Sequence, residues 1–297
     1  MTVDPAQSAE KRLQALLPEV YRGRTDDVQP VSMGSAPLAF DVDGNVAWER
    51  MWGTFCDLAM AGGPPHKGKL LEPAAPESIS EDPVGYERVC SEIARGVRLA
   101  AKLQTEAGSY PGWLRVKCVN DVMAQWLLRA ITMENVSVRL EESAILLPAG
   151  PAFRLEKEIK NVITVISKTT HYWSGHLHRL QQIGIANVFA KLDTDFPLLQ
   201  PSWEDVDCDP IPRGRIERDL EATTSLKCTR GTYKNWIGLE VGNVASAVVA
   251  MRRLVATNIL CRREESAIFV PLNPKIAPDG VSLGKRIFEL LPDVHNS

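Results

Sequence analysis

"RLEESAILLP" occupies residues 139–148, and "RREESAIFVP" occupies residues 262–271. One chain of 297 residues thus spells nearly the same phrase twice, 123 positions apart. Sliding the chain on itself by 123 puts Trp113 over Trp236, and the match runs without a gap to Pro151 over Pro274. Of those 39 aligned positions 13 are identical, where average composition gives roughly two or three. Internal self-similarity marks a structural unit used more than once. Two copies at so long a spacing do not make a solenoid, so the unit is one supersecondary motif used twice.

The motif reads in both copies. "GWLRVKCV" and "NWIGLEVG" are short β-rich runs with alternating apolar positions, hence strands. Asn120 and Asn243 follow as helix N-caps. "DVMAQWLLRAITME" and "VASAVVAMRRLVAT" have apolar residues three and four apart, hence helices. Asn135 and Asn258 stand at the C-terminal stop, where Asn tolerates a left-handed backbone. "VSVRLEES" with "AILLPAG", and "ILCRREES" with "AIFVPLNP", read as hairpins turning near Glu-Glu-Ser. A further helix follows in "FRLEKEIKNVITVI" and "VSLGKRIFELL".

The order β-α-β-β-α is most of a ferredoxin-like module, so the expected fold is α+β: internally duplicated β-α-β-β-α (ferredoxin-like) modules with additional helices. A fourth strand is expected from "IANVFAKLD" or from the other module. Arg139 with Glu141, and Arg262 with Glu264, lie two apart on a strand and share a face. They read as surface ion pairs or as a paired cationic site.

Outside the match, residues 1–36 read as a short amphipathic helix and a polar lead. Asp43 or Asn45 is positioned to cap a helix with Trp48, Met51, Trp52, Phe55 and Ala59 on one stripe. Gly62-Gly63-Pro64-Pro65 would end it. Asp82-Pro83 opens another helix with Val89, Cys90, Ile93, Val97 and Ala100 on one side. Residues 201–213 form an acidic, proline-punctuated loop, and Asp209-Pro210 precedes a helix over about 214–228. The expected organisation is a lead (1–36), a helical N-terminal part of the first half (37–111), a first repeat with its long helix (112–192), an acidic loop and connecting helix (193–234), and a second repeat (235–297).

Composition is that of an ordinary globular chain, with 44% hydrophobic and 24% charged residues. A formal charge of -3 argues against a general nucleic-acid binder. The first residues show no apolar signal-peptide core, and no apolar run is long enough to span a membrane. The six cysteines have no CxxC spacing and read as reduced thiols, so a cytoplasmic setting is expected.

The standard signatures of metalloproteases, P-loops, serine hydrolases and dinucleotide sites are absent. The chemistry-bearing residues gather in two stretches. "SKTTHYWSGHLHRLQQ" (167–182) holds three of the five histidines and continues the long helix after the first repeat. With Trp173 facing the core, His176 is expected partly inward, and His171 and His178 on the other side about 10.5 Å apart along the axis. The second stretch, "AGGPPHKGK" (61–69), reads as a rigid turn, or as a loop presenting His66 for proton transfer and Lys67 for an anion. Arg129 and Arg252, repeated on the first helix of each copy, need acceptors.

The sequence therefore leads to a small-molecule-handling protein, a biosynthetic or metabolic enzyme with histidine acid–base chemistry on an anionic substrate, in a cleft between modules or under the 154–183 helix. His176 and His66 are the catalytic candidates. Lys67, Arg129, Arg252, Trp173, His171 and His178 are the substrate-binding candidates. Two alternatives stand beside it: a non-catalytic binding or assembly module with a protein partner, and a metal site recruiting His66, Cys56 and Asp57. The cofactor is not specified by the sequence.

Overall fold

The computed structural model describes residues 4–24, 28–29, 37–51, 55–202, 210–229 and 233–292, with side chains from 213 onward in the helix that begins at Pro210. In chain order the helices are α1 (Pro5–Leu16), α2 (Pro76–Glu81), α3 (Pro83–Gly96), α4 (Asp121–Met133), α5 (Lys160–His176), α6 (Arg179–Asp195), α7 (Pro210–Thr224), α8 (Val244–Val255) and α9 (Gly280–Leu290). The strands are β1 (Gln104–Ala107), β2 (Trp113–Lys117), β3 (Arg139–Glu141), β4 (Ala144–Pro148), β5 (Cys228–Thr229), β6 (Trp236–Glu240), β7 (Arg262–Glu264) and β8 (Ala267–Pro271). The fold is α+β. Among the described residues no helix is long and apolar enough to cross a membrane.

The chain forms two compact units, one of residues 18–179 and one of residues 1–17 with 180–297. In the first, four antiparallel strands run in the order β1-β2-β4-β3. Leu114 and Val116 face the same side as their β4 partners Leu147 and Ile145. Val116, Ile145 and Leu147 are fully buried there, and α4 packs against β3 and β4. The opposite face carries charge: Arg115 bonds Glu141 at 2.8 Å and Glu106 at 3.1 Å, and Lys117 pairs with Glu106.

The second unit has a sheet ordered β5-β6-β8-β7. Trp236 pairs with Pro271 as Trp113 pairs with Pro148. At the position of Arg115 stands Gly238, over which Thr229 and the Phe269 ring close. The α1 stripe of Ala6, Ala9, Leu13 and Leu16 is buried, and α1 packs on α8 and α9. Helices α7 and α9 cross closely because α9 presents Gly280 and Gly284, where a Cβ would meet the Ile216 carbonyl oxygen at 2.5 Å and Thr223 Cβ at 2.8 Å.

The local devices expected from sequence are in place. Asn120 and Asn243 accept from the N–H of Met123 and Ser246. Asn135 and Asn258 take φ of 60° and 63° after α4 and α8. Two similar tetrapeptides upstream of the sheets behave alike. "LLEP" at 70–73 and "LLQP" at 198–201 each form a parallel bridge to the chain after the helix, Leu71 to Val136 and Leu199 to Ile259.

Three expectations are corrected. The fourth strand of each sheet is β1 or β5, supplied from upstream by a hairpin; "IANVFAKLD" lies within α6. Among the described residues the helix expected around Trp48 gives way to short 3-10 turns at Trp48–Arg50 and Ala59–Ala61: Glu134 takes the Ala59 backbone N–H that a helix would bond internally, and Glu92 anchors the Trp48 side chain through Nε1. Trp52 lies outside the described residues, as does the acidic loop at 204–209. Finally, the long helix is broken. It ends at His176, one residue after Gly175, and α6 begins at Arg179.

Candidate functional site

The polar residues of the 18–179 unit converge on one side of α5. Asn161, Lys168 and Tyr172 lie seven and four residues apart, which aligns them on one helix face. Against that face lies the chain from Phe55 to Leu71. Its shape depends on Gly63, where a Cβ would collide with the Asp57 carbonyl. That carbonyl oxygen accepts from Lys168 Nζ at 2.9 Å.

Glu134, the residue after α4, holds the same segment from the other side. Its Oε1 accepts from the Ala59 N–H at 3.0 Å and pairs with Lys168 Nζ at 2.9 Å. Its Oε2 accepts from the His66 N–H at 2.8 Å. Both charged residues are buried, Glu134 at 0% and Lys168 at 1% exposure. The pair lies in low dielectric, where each charge is tolerated only because the other and the surrounding N–H and C=O groups satisfy it. Asn135 completes the clamp by donating to the Lys67 carbonyl.

Above this floor is a set of titratable groups. Tyr21 donates to Asp57 Oδ1 at 2.8 Å and stands 2.6 Å from the Tyr172 hydroxyl. With Tyr21 donating to the carboxylate, Tyr172 donates to Tyr21. Burial and this bonding push the Tyr21 phenol above its ordinary range; burial and the Asp57 charge raise Tyr172 as well, against the opposing effect of its bond to Tyr21. The Tyr172 ring touches His171 and His176, whose Nε2 atoms are 3.2 Å apart. Asp57, His171 and His176 are exposed. Partial burial, and then the charge of His176, lower the pKa of His171.

The sequence candidates divide. His171 and His176 come together, five residues apart, at the end of α5. His176 is exposed, not turned inward, because the helix stops there. His178 lies beyond the helix end, just before the passage into the other unit. His66 stays at the opposite end of α5, with Nε2 3.0 Å from Asn161 Oδ1. Since the amide oxygen accepts, Nε2 carries the proton. Desolvation pulls the His66 pKa down to about 4, so the ring is neutral near pH 7. Asn161 and His176 are fifteen residues apart on α5, roughly 22 Å of helix, so His66 and His176 do not serve one reacting centre.

Trp173 is a core residue, 3% exposed, packed on Trp126 at 5.7 Å between centroids. Arg129 is buried and donates to the Gln125 carbonyl, while Arg252 pairs with Glu10 at 3.6 Å. The backbone of Lys67 is tied to Glu134 and Asn135. Among the described residues no group of three His, Cys, Asp or Glu stands close enough to hold a metal ion. Cys56, Cys90, Cys118, Cys228 and Cys261 are free thiols. Burial raises the thiols of Cys118 and Cys228 to about 12.

Glu134, Lys168, Tyr21 and Tyr172 were not singled out from sequence. A signal existed for two of them. Lys168 interrupts an apolar face, and Glu134 stands where the second copy has Thr257. No protein-family model matches this chain, and neither curated proteins nor solved structures give a match.

Proposed function

We propose that this chain is a small-molecule-handling enzyme that moves a proton on an anionic substrate, and that residues 18–179 carry the chemistry. Both halves are read as copies of one ferredoxin-like unit whose edge strand comes from upstream. The observation that carries the functional reading is the buried Glu134–Lys168 pair. The other sheet keeps the same strand order with Thr257 in the place of Glu134. A charge pair that the sheet does not require, and that costs desolvation, is an investment in the segment it holds.

That segment presents Asp57. In this reading Asp57 orders the Tyr21 and Tyr172 hydroxyls, and the His171–His176 pair accepts or returns the substrate proton. His171, with its lowered pKa, is the base. His66 has a separate task, fixing the loop that carries Lys67.

The test is native mass spectrometry of gently purified protein against its denatured mass. A retained small anion is expected, absent from His176→Ala and Tyr172→Phe variants that melt like the parent. Alanine at His176 that leaves folding and ligand retention intact would remove the reading. A second reading, a non-catalytic assembly module with a protein partner, is favoured by Leu180 and Ile183, 77% and 51% exposed at neighbouring positions of α6. A salt-sensitive complex with no retained ligand would support it.

A further inference from the structure

Residues 18–179 also contain a cavity of about 790 Å³ lined by none of the residues of the proposed proton-transfer site. Its volume is in the range of small-molecule sites. The walls are Val46, Val89, Phe153, Leu155 and Ile159, with Phe40 at the edge. Three arginines, Arg88, Arg95 and Arg154, line the same space.

Two of the three arginines have carboxylate partners. Arg95 grips Glu92 with two hydrogen bonds of 2.9 and 2.7 Å, and Arg154 grips Glu158 in the same way at 3.2 and 2.8 Å. Arg88 is exposed and has no hydrogen bond or ion pair among the described residues. Glu92 is already engaged by Arg95 and by the Trp48 indole N–H at 2.7 Å. The lining therefore carries an excess of positive charge beside an apolar interior.

The backbone supplies an independent observation. Leu155–Ile159, which lines the cavity, is a π-helical turn. Such turns carry an extra residue at a cost in helix geometry and recur at functional sites. Among the described residues the unit of 180–297 has none: α9 begins directly after its Asp279 cap.

We propose that this cavity binds an organic anion with an apolar body, the body against Val89, Phe153 and Ile159 and the anionic group at Arg88. The proposal does not rest on the proton-transfer reading, because the residues of the two sites are different.

The probe is 8-anilinonaphthalene-1-sulfonate, which joins a sulfonate to an aromatic body and brightens in apolar surroundings. Its uncharged counterpart, N-phenyl-1-naphthylamine, is titrated in parallel. The sulfonate is expected to saturate a single class of sites. Arg88→Glu, at an exposed position, is expected to weaken it about tenfold and leave the uncharged probe nearly unchanged. Ala152→Trp, which projects a ring into the cavity from an exposed position, is expected to weaken both. Circular dichroism melts identify variants that keep the fold. Absence of saturable sulfonate binding overturns the proposal, and so does equal binding by the parent and both folded variants. An equal response of the two probes to Arg88→Glu overturns the anionic part. None of these variants touches His176 or Tyr172, so failure here and failure of the proton-transfer reading are distinguishable.

Discussion

The Lys168 ammonium stands 2.9 Å from Oε1 of Glu134, and neither residue is more than 1% exposed. Removing one partner leaves the other charged and unpaired in a dry interior, which costs about 3–5 kcal/mol. Glu134→Gln and Lys168→Met are each expected to lose that much in urea unfolding. Glu134 also accepts from two loop N–H groups, and Gln retains part of that role. The double variant is therefore expected to be no less stable than either single one. Strict additivity in that cycle would mean that the two charges do not depend on each other.

The His66 imidazole gives the fold a pH dependence of known sign. Its pKa in the folded chain, about 4, lies below the ordinary 6.5, and desolvation is the main cause. The unfolded chain takes up the proton first as pH falls. The stability of the neutral ring is thus whole above pH 6.5 and is lost on descent toward pH 4. The loss is bounded at about 3 kcal/mol. His66→Asn is expected to flatten the stability profile between pH 6.5 and 4 relative to the parent. Identical slopes in that window would show that His66 does not titrate with folding.

Much of each sheet was legible because its devices are local. Asn120, Asn135 and the Glu-Glu-Ser turn act within a few residues of themselves, so periodicity and caps disclose them. The edge strands were not legible. "QTEA" is short and largely exposed, and only pairing with β2 makes it a strand. The site was partly legible. His171 and His176 sit in one stretch, and the end of the helix brings their rings together. Glu134 and Lys168 are 34 residues apart, and no pattern along the chain announces that they meet. The same holds for Tyr21 and Tyr172, whose hydroxyls are 2.6 Å apart across most of the unit's sequence.

The repeated turn carries a repeated strain. Glu142 and Glu265 open the two-residue connections of their hairpins with φ of 53° and 50°. A side chain with a Cβ is disfavoured there by about 1–2 kcal/mol, and glycine is not. Part of that gain is offset by the greater freedom glycine gives the unfolded chain. Glu142→Gly and Glu265→Gly are each expected to raise stability by about 0.5–1 kcal/mol in thermal unfolding. Alanine at the same positions is expected to give no gain. Equal effects of glycine and alanine would place the cause in the lost charge and not in the backbone.

Arg139 and Arg262 are the same repeated residue in two environments. Arg262 is fully buried, pairs with Glu264 at 2.6 Å and lies over the rings of Tyr233, Trp236 and Phe269 at 4.1–5.0 Å. Tyr233 donates to the same Glu264 carboxylate at 2.5 Å. Arg139 is half-buried and stacks on Tyr110 at 4.2 Å, while Glu141 is taken by Arg115. A planar guanidinium can stack and hydrogen-bond at once, and an ammonium cannot. Arg262→Lys is expected to cost about 2–3 kcal/mol, as a desolvated stack and a buried ion pair are both weakened. Arg139→Lys is expected to cost less than about 1 kcal/mol. Urea unfolding of the two variants reads the difference directly. Equal losses would mean that burial of Arg262 adds nothing to what the hairpin already requires of its arginine.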